Sequence, residues 1–478
     1  MSLLASLTNT SSALDAFDRA VIVTQNNVAN SSTPGFATQQ LDLDAMPFDP
    51  SAGLDGGVEA GNVESSRNEF AEAAVDRAQT SLGTATQQSS SLTAVQNALN
   101  LSAANGIPAT LGALFSSFSA WSQDPTNEAD QQGVITSAQA VAQSFQTTDA
   151  SLQQVQQDTQ SQIGQAVDQI NAYAQQLASY NAQIQNGDRS DPALDAQIHN
   201  TLENLGQIVN FTTAVQTDGT FTVLVDGQTP LVIGNQSYSL TSQIADPASL
   251  PAGNPVVPPS ASILDTSGRD VTAQVTGGSL GALLQTNNQV LASLLGDANQ
   301  PGTLNQLAQT FADRVNGLLM AGNISDGVPG VALFSYDTTN ATNTAATLTL
   351  APGMTGDQLA AIDPGPPYVS NGTALSLAGL ANPQDPADEI NNTSYVNFFG
   401  NLASDVGSQL SAATDQQNIQ QQVLTQAQSQ RQQISGVSLD EQAALLVQYQ
   451  RAYQANAQLF AVLNGLTQTA VNMLQPLT

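Results

Sequence analysis

A few groupings in this chain carry the residue types that chemistry needs. His199 follows Asp195 by four positions, so the two are neighbours on one helix face and form the start of a metal-ligand pair. Asp42 with Asp44, and Asp440 with Glu441, are paired carboxylates of the kind used in general acid–base catalysis. Gly277-Gly278, just before a helical stretch, has the look of a phosphate cradle. Each also has a plainer reading. One His and one Asp are too few donors for a metal site. Asp42 and Asp44 read as a solvated loop, and Asp440-Glu441 as a helix cap. Gly277-Gly278 lacks both the G-x-G-x-x-G frame and a nearby lysine, and reads as a domain-crossing turn.

The rest of the inventory narrows the chemistry further. The chain has eight arginines and one histidine, and neither lysine nor cysteine. Without lysine there is no Schiff base, phosphate-loop lysine or Ser-Lys nucleophile; without cysteine there is no thiol, disulfide or thiolate metal site. The reading is a structural, self-assembling protein rather than an enzyme, with no catalytic, cofactor or metal residues. A net charge of −31 repels phosphate backbones and anionic headgroups, so no nucleic-acid partner and no membrane insertion are expected. No stretch approaches the roughly 20 apolar residues a membrane span requires. Met1 to Val23 has no basic n-region, and its longest aliphatic run is Ala20-Val21-Ile22-Val23. A protein that leaves the cell would therefore do so without a cleaved signal peptide.

At 478 residues, about two to four domains are expected. The first thirty residues place Leu3, Leu7, Thr10, Leu14, Phe17, Val21, Thr24 and Val28 at alternating steps of four and three, one face of a helix. Ser32-Thr33-Pro34-Gly35 stops it. Residues 41 to about 70 read as irregular, with Pro47, Pro50 and a cluster of glycines. Helix returns near Glu69, and Leu111, Leu114, Phe115, Phe118 and Trp121 mark a compact apolar one. A long stripe from Val134 through Phe145, Leu152, Ile163 and Ile170 to Ile184 predicts a single rod-like helix that Gly187 ends. Between Gln207 and Leu240 the period becomes two, with Asp218-Gly219 and Asp226-Gly227 as turns, the pattern of a β-meander. Helix is expected from Leu280 to Met320, short strands over 322–392, then helix to the end. Gly436 breaks that last stretch, and Ser438 with Glu441 opens the final helix. Its stripe is Leu446, Tyr449, Tyr453, Asn456, Phe460, Leu463, Thr467, Ala470 and Leu474.

Both termini resemble the flagellar axial proteins, the family of rod, hook and hook-associated subunits. Val28-Ala29-Asn30-Ser31-Ser32-Thr33-Pro34-Gly35-Phe36, with Asn27 and Asn30 as its asparagines, is similar to that family's Asn-x-Ala-Asn-x-x-Thr-Pro-Gly-Tyr motif. Ser435-Gly436-Val437-Ser438-Leu439-Asp440-Glu441, followed by Tyr449-Gln450-Arg451-Ala452-Tyr453-Gln454-Ala455, is similar to its Ser-Gly-Val-Asn-Leu-Asp-Glu and Tyr-Gln-x-Ala-Tyr-Gln-Ala. Within that family, Gly277 to Leu284 and Leu304 to Gly322, ending in Ala332-Leu333-Phe334, resemble hook-associated protein 1, the subunits of the first hook–filament junction. Where those usually have Arg-Asp and Asn-x-x-His-x-x-Gly, this chain has Thr286-Asn287 and Asn316 to Gly322 without the histidine.

The resemblance implies a mainly α fold with a β-rich insertion. The N- and C-terminal helices would pair as a coiled coil (residues 1–40 and 436–478). A long-helix rod domain would take 41–206, 278–322 and 393–435, and a split outer β domain 207–277 and 323–392. It implies a subunit exported through the flagellar channel, guarded by a cytosolic chaperone at its C-terminal helix. Copies would polymerise into a helical tube at the hook–filament junction, with hook protein below and the second junction protein above. Leu3, Leu7, Leu14, Phe17, Val21 and Val28, with Leu446, Tyr449, Tyr453, Phe460, Leu463 and Leu474, would form the assembly interface. Alternatives are another axial subunit, such as hook protein or the third hook-associated protein, a secreted adhesin, or a glycan-processing protein. An adhesin predicts one terminal β head, and a glycan enzyme an aromatic-rich cleft; neither pattern is present.

Overall fold

The structure, a computed structural model, describes residues 3–49, 54–99, 104–188, 191–244, 260–297 and 299–474. The chain divides into two compact units, one of Met1–Ser81, Asn171–Tyr238 and Gln420–Thr478, the other of Leu82–Ile170 and Ser239–Ile419.

In the first unit, α1 (Leu3–Ala29) is followed by a two-stranded ribbon, β1 (Gln39–Asp49) and β2 (Leu54–Ser65). The ribbon corrects the expected irregular stretch. Leu41, Leu43 and Ala45 alternate with Asp42 and Asp44, a period-two pattern that Pro47 and the glycines obscured. Next in the chain come helix α2 (Glu69–Leu99), which begins in this unit, α3 (Ile107–Gln123), which belongs to the second unit, and α4 (Glu128–Gln183), which ends back in the first. At 56 residues, α4 is about 84 Å long at 1.5 Å per residue. Its predicted stripe is the buried face: Val134, Ala138, Phe145, Leu152, Ile163, Ile170 and Ile184 are all buried. Gly187 ends it at φ +118°, inside a π-turn at Ile184–Asp188.

After α5 (Pro192–Ile208), the expected meander forms an antiparallel sheet in the order β3 (Phe211–Val215), β4 (Phe221–Val225), β5 (Thr229–Ile233), β6 (Gln236–Ser237). Asn181 of α4 seats this sheet, donating to the Phe221 and Gly234 carbonyls and accepting from the Phe221 amide. The sheet belongs to the same unit as the terminal helices, not to a separate outer domain.

The second unit contains β7 (Thr241–Ile244) paired with β8 (Ala261–Leu264), then α6 (Gly278–Gln285), a π-helical turn at Thr286–Leu291, α7 (Ala292–Leu295) and α8 (Thr303–Ala321). The continuous helix expected from Leu280 to Met320 is thus broken. Beyond it lie β9 (Asn323–Ser325), β10 (Val328–Pro329), β11 (Phe334–Ser335), α9 (Thr344–Thr347), β12 (Thr349–Leu350) and α10 (Gly372–Gly379). The expected place of these segments is an outer β layer. Instead Leu333, Phe334, Leu348, Leu359, Leu377 and Leu380 enter the helical core, because their irregular spacing suits coil that fills gaps between helices. Phe311 of α8 is central there, with the rings of Tyr395, Phe334 and Phe115 at 5.4, 5.6 and 6.2 Å. Two long helices, α11 (Tyr395–Ser435) and α12 (Leu439–Leu474), finish the chain.

Candidate assembly interface

The two terminal motifs, about 400 residues apart in sequence, meet at one joint. The Thr38 amide donates to the Ser435 carbonyl at 2.8 Å, and the Thr38 hydroxyl to the Gly436 carbonyl at 2.8 Å. Ser435, buried at the end of α11, donates its hydroxyl to the Ser66 carbonyl. Asn27 is the hub. Its amide nitrogen donates to the Gln39 carbonyl at 2.8 Å and to Gln442 Oε1 at 3.0 Å, and its oxygen accepts from the Gln39 amide at 2.9 Å. One side chain thereby fixes the end of α1, the start of β1 and the start of α12. Asn30 acts locally. Its oxygen accepts from the Thr33 hydroxyl and its nitrogen donates to the Asn26 carbonyl, closing the last turn of α1. Pro34 is exposed beside it. Gly35 sits at φ +75°, and a Cβ there would come within 2.5 Å of the Ala196 carbonyl of α5, so only glycine permits the approach. Gly436 is similarly crowded by Gln432. Leu439 and Glu441 are exposed, and the Glu441 amide reaches the Ser438 hydroxyl at 3.4 Å.

An ion cluster that sequence reading missed locks the joint. Arg67 is almost fully buried between β2 and α2. It donates to the Gly35 carbonyl, to Glu72 at 2.6 Å, and through two nitrogens to Asp195 at 2.7 and 2.9 Å. Arg431 of α11 donates to Glu72 at 3.1 Å and to Glu203. His199 lies 3.7 Å from Asp195 and packs edge-on against Phe221. This pair is therefore part of a structural network, with Asp195 occupied by Arg67. Burial holds His199 well below its ordinary value, reinforced by Arg67 and Arg431. Asp76, one turn beyond Glu72, is pushed up to about 7 by burial and by Glu203 and Glu72, against the pull of Arg431 and Arg67. Burial likewise raises Asp195, with Arg67 opposing. The other chemical candidates are separate: Asp42 and Asp44 are exposed on the ribbon, Asp440 and Glu441 start α12, and Gly277 caps α6.

From the joint, α1 and α12 run antiparallel and pack along each other. On α12 the face turned to α1 is the predicted stripe: Leu446, Tyr449, Phe460 and Leu463 are half-buried, and Tyr453 at its edge is exposed. The side chain of Leu474 lies outside the described residues. On α1 the most buried line is Thr10, Ala13, Ala16, Ala20, Thr24 and Asn27, which shares Thr10 and Thr24 with the predicted stripe and otherwise runs beside it. The ribbon explains this, because a strand backbone approaches a helix closely only over small side chains. Leu7, Leu14, Phe17 and Val21 remain half-buried, and Leu3 and Val28 are exposed. Leu459, Val462, Leu466 and Met473 form a further apolar line on α12, 49–79% exposed.

No described helix is long and apolar enough to cross a membrane. Among the described residues, no group of three or more His, Asp or Glu side chains could hold a metal ion.

A chain with its two ends clasped into one helix pair, each helix still showing apolar surface, has the form of an assembling structural subunit. Similarity to known proteins defines which kind. Residues 92–334 match the helical-domain model of the flagellar hook-associated protein FlgK, and residues 428–473 the C-terminal model of the flagellar basal body rod FlgEFG proteins. The chain belongs to the FlgK family of flagellar hook-associated proteins. It is 25% identical to flagellar hook-associated protein 1 of Escherichia coli, over 98% of this chain and 99% of that one. The Bacillus subtilis counterpart is 24% identical over 96% of each. Its fold is similar to the flagellar hook junction protein FlgK of Burkholderia pseudomallei, with TM-score 0.63 at 16% identity, covering 75% of this chain and 99% of that one.

The positions where this chain departs from the usual pattern are internally filled. Thr286 and Asn287 are buried in the π-turn, the latter accepting from Gln160 of α4. Leu319, at the missing histidine, is wholly buried, while Asn316 accepts from the Leu333 and Phe334 amides.

Proposed function

We infer that the chain is the structural subunit that polymerises at the hook–filament junction of the bacterial flagellum and connects hook to filament. One observation carries the reading: the paired terminal helices leave apolar side chains exposed on both members, Leu3, Leu4 and Ile22 on α1 and the line Leu459, Val462, Leu466 and Met473 on α12. Surface of that kind on helices that need partners favours burial between copies. The predicted stripe residues, from Leu3 to Val28 and from Leu446 to Leu474, belong to this interface, completed by neighbouring copies in a helical tube. Hook protein lies below it and the second junction protein above. A cytosolic chaperone covers α12 before export through the flagellar channel, and the assembled subunit is extracellular. Electron microscopy of the purified chain mixed with isolated hook fragments tests the reading. Added density on hook ends is expected, and bare hook ends at saturating protein would overturn it.

A further inference from the structure

Within the second unit, the β9–β10 hairpin and the loop 362–371 enclose a cavity of about 320 Å³, lined by Asn323, Ser325, Asp326, Ile362, Tyr368 and Ser370. Both walls are pinned. Asn323 and Ile362 exchange backbone hydrogen bonds at 2.8 and 3.1 Å, and the Ile362 carbonyl also accepts from the Thr373 hydroxyl. The loop closes on itself: the Asp363 amide donates to the Val369 carbonyl, and Asp363 Oδ1 accepts from the Val369 amide at 2.7 Å. Pro364, Pro366 and Pro367 stiffen it, and Gly365 has no room for a Cβ against the Pro367 carbonyl. A site held in this way loses little freedom when it takes up a ligand.

The groups at its rim are uncommitted. Tyr368 is 60% exposed on the rigid loop, and Val328 and Val369 are exposed as well. The side chains of Ser325, Asp326, Tyr368 and Ser370 make no hydrogen bond among the described residues. Asn323 gives its amide nitrogen to the Asp363 carbonyl and keeps its oxygen as an acceptor.

An aromatic face, an aliphatic side chain and free hydroxyl, amide and carboxylate groups together suit a neutral sugar ring. The C–H face of a pyranose presents slightly positive hydrogens to the negative face of a tyrosine, while its hydroxyls pair with donors and acceptors at the rim. An acidic sugar would find no countercharge, since the chain has no lysine and neither Arg nor His between Arg314 and Arg431. A cationic ligand would be held by one ring and one solvent-screened carboxylate, and would leave the hydroxyls unused. The cavity lies at the small end of the range for ligand sites, enough for a single ring. Asp326 is the only carboxylate among the described lining residues, whereas glycoside hydrolysis uses two, so the chemistry is binding alone.

We propose that this cavity binds a neutral pyranose, stacked on Tyr368 and hydrogen-bonded by Asn323, Ser325, Asp326 and Ser370. The site is independent of the assembly reading, which stands or falls on other grounds.

Saturation-transfer NMR on the full chain tests it, with the methyl glycosides of glucose, galactose, mannose and N-acetylglucosamine at millimolar concentration. Transfer to the ring C–H protons of at least one glycoside is expected. Y368A should abolish it, and Y368F should keep most of it because the ring remains. D326N and S370A should each raise Kd about tenfold, equivalent to about 1.4 kcal/mol. The exposed Tyr368 supports no core, so Y368A should melt with wild type; if it melts earlier, D326N and S370A decide. Silence from all four glycosides, transfer unchanged in a folded Y368A, or an unchanged Kd in both D326N and S370A overturns the site. Binding of tetramethylammonium without any glycoside gives the cavity to cations and overturns the sugar assignment.

Discussion

Arg67 joins the N-terminal motif to α2 and α5, and Glu72 links it in turn to Arg431 at the end of α11. Replacing it with methionine would leave Glu72 and Asp195 buried without that countercharge. The expected loss is about 3–5 kcal/mol in urea unfolding, and lysine should recover only part because it lacks the planar fork. Stability should also depend on pH. Asp76 and Asp149 are raised to about 7 and about 6 from an ordinary 3.8, Asp149 chiefly by burial. Their folded forms hold protons that the unfolded chain releases, so they remove stability as pH rises from about 4 to 7 and nothing further above that. His199, lowered from 6.5, acts oppositely, adding stability as pH rises toward 6.5. The double variant Asp76→Asn, Asp149→Asn should therefore be more stable than wild type at pH 7.5. Between pH 4.5 and 6.5 its stability should rise where that of wild type is flatter or falls. At this scale the sequence was partly legible. Asn27, Gly35 and Ser435 stood out as motif residues, but their partners lie on remote segments. Arg67 sits alone in its loop, and no local pattern marks it.

Elements with regular periods were readable from the sequence itself. The stripe of α4 and the Asp-Gly turns of the β3–β6 sheet are formed by repeating local rules, and both stand where expected. The ribbon and α10 were not readable as such, because glycine and proline in short segments are ambiguous between turn, strand and coil. The terminal pair offers a test at this scale. The hydrogen-bonded joint should exchange its amides slowly at Gln39 and Gln442, while the far ends of α1 and α12 exchange quickly, since few side chains there are buried. Uniform slow exchange along α12 in the monomer would contradict that picture. Val462→Asp, on the exposed line, should cost the monomer less than about 0.5 kcal/mol. Assembly on hooks should nonetheless fail, because the carboxylate would be buried there unpaired. Circular dichroism of the monomer and microscopy of the hooks separate the two effects.

For the molecule as a whole, the helical core and the segment 323–392 are inseparable. Deleting 324–390 would strip Phe334 from beside Phe311 and Leu333, Leu348 and Leu377 from the same core. The second unit should then lose its cooperative melting transition, seen by calorimetry. Removing only the exposed hairpin tip between Ser325 and Val328 should leave that transition in place. The Thr38–Gly436 bond has a consequence in time. Its partners are 398 residues apart, so closing that loop from a disordered chain costs about 5 kcal/mol of entropy. Contacts so distant in sequence form late, after the intervening segments have shortened the effective loop by folding. The clasp should therefore be the slow phase of refolding and the earliest to relax in denaturant. Between those moments a subunit can hold a finished body and open ends, with the ends setting how fast it becomes competent to join a neighbour.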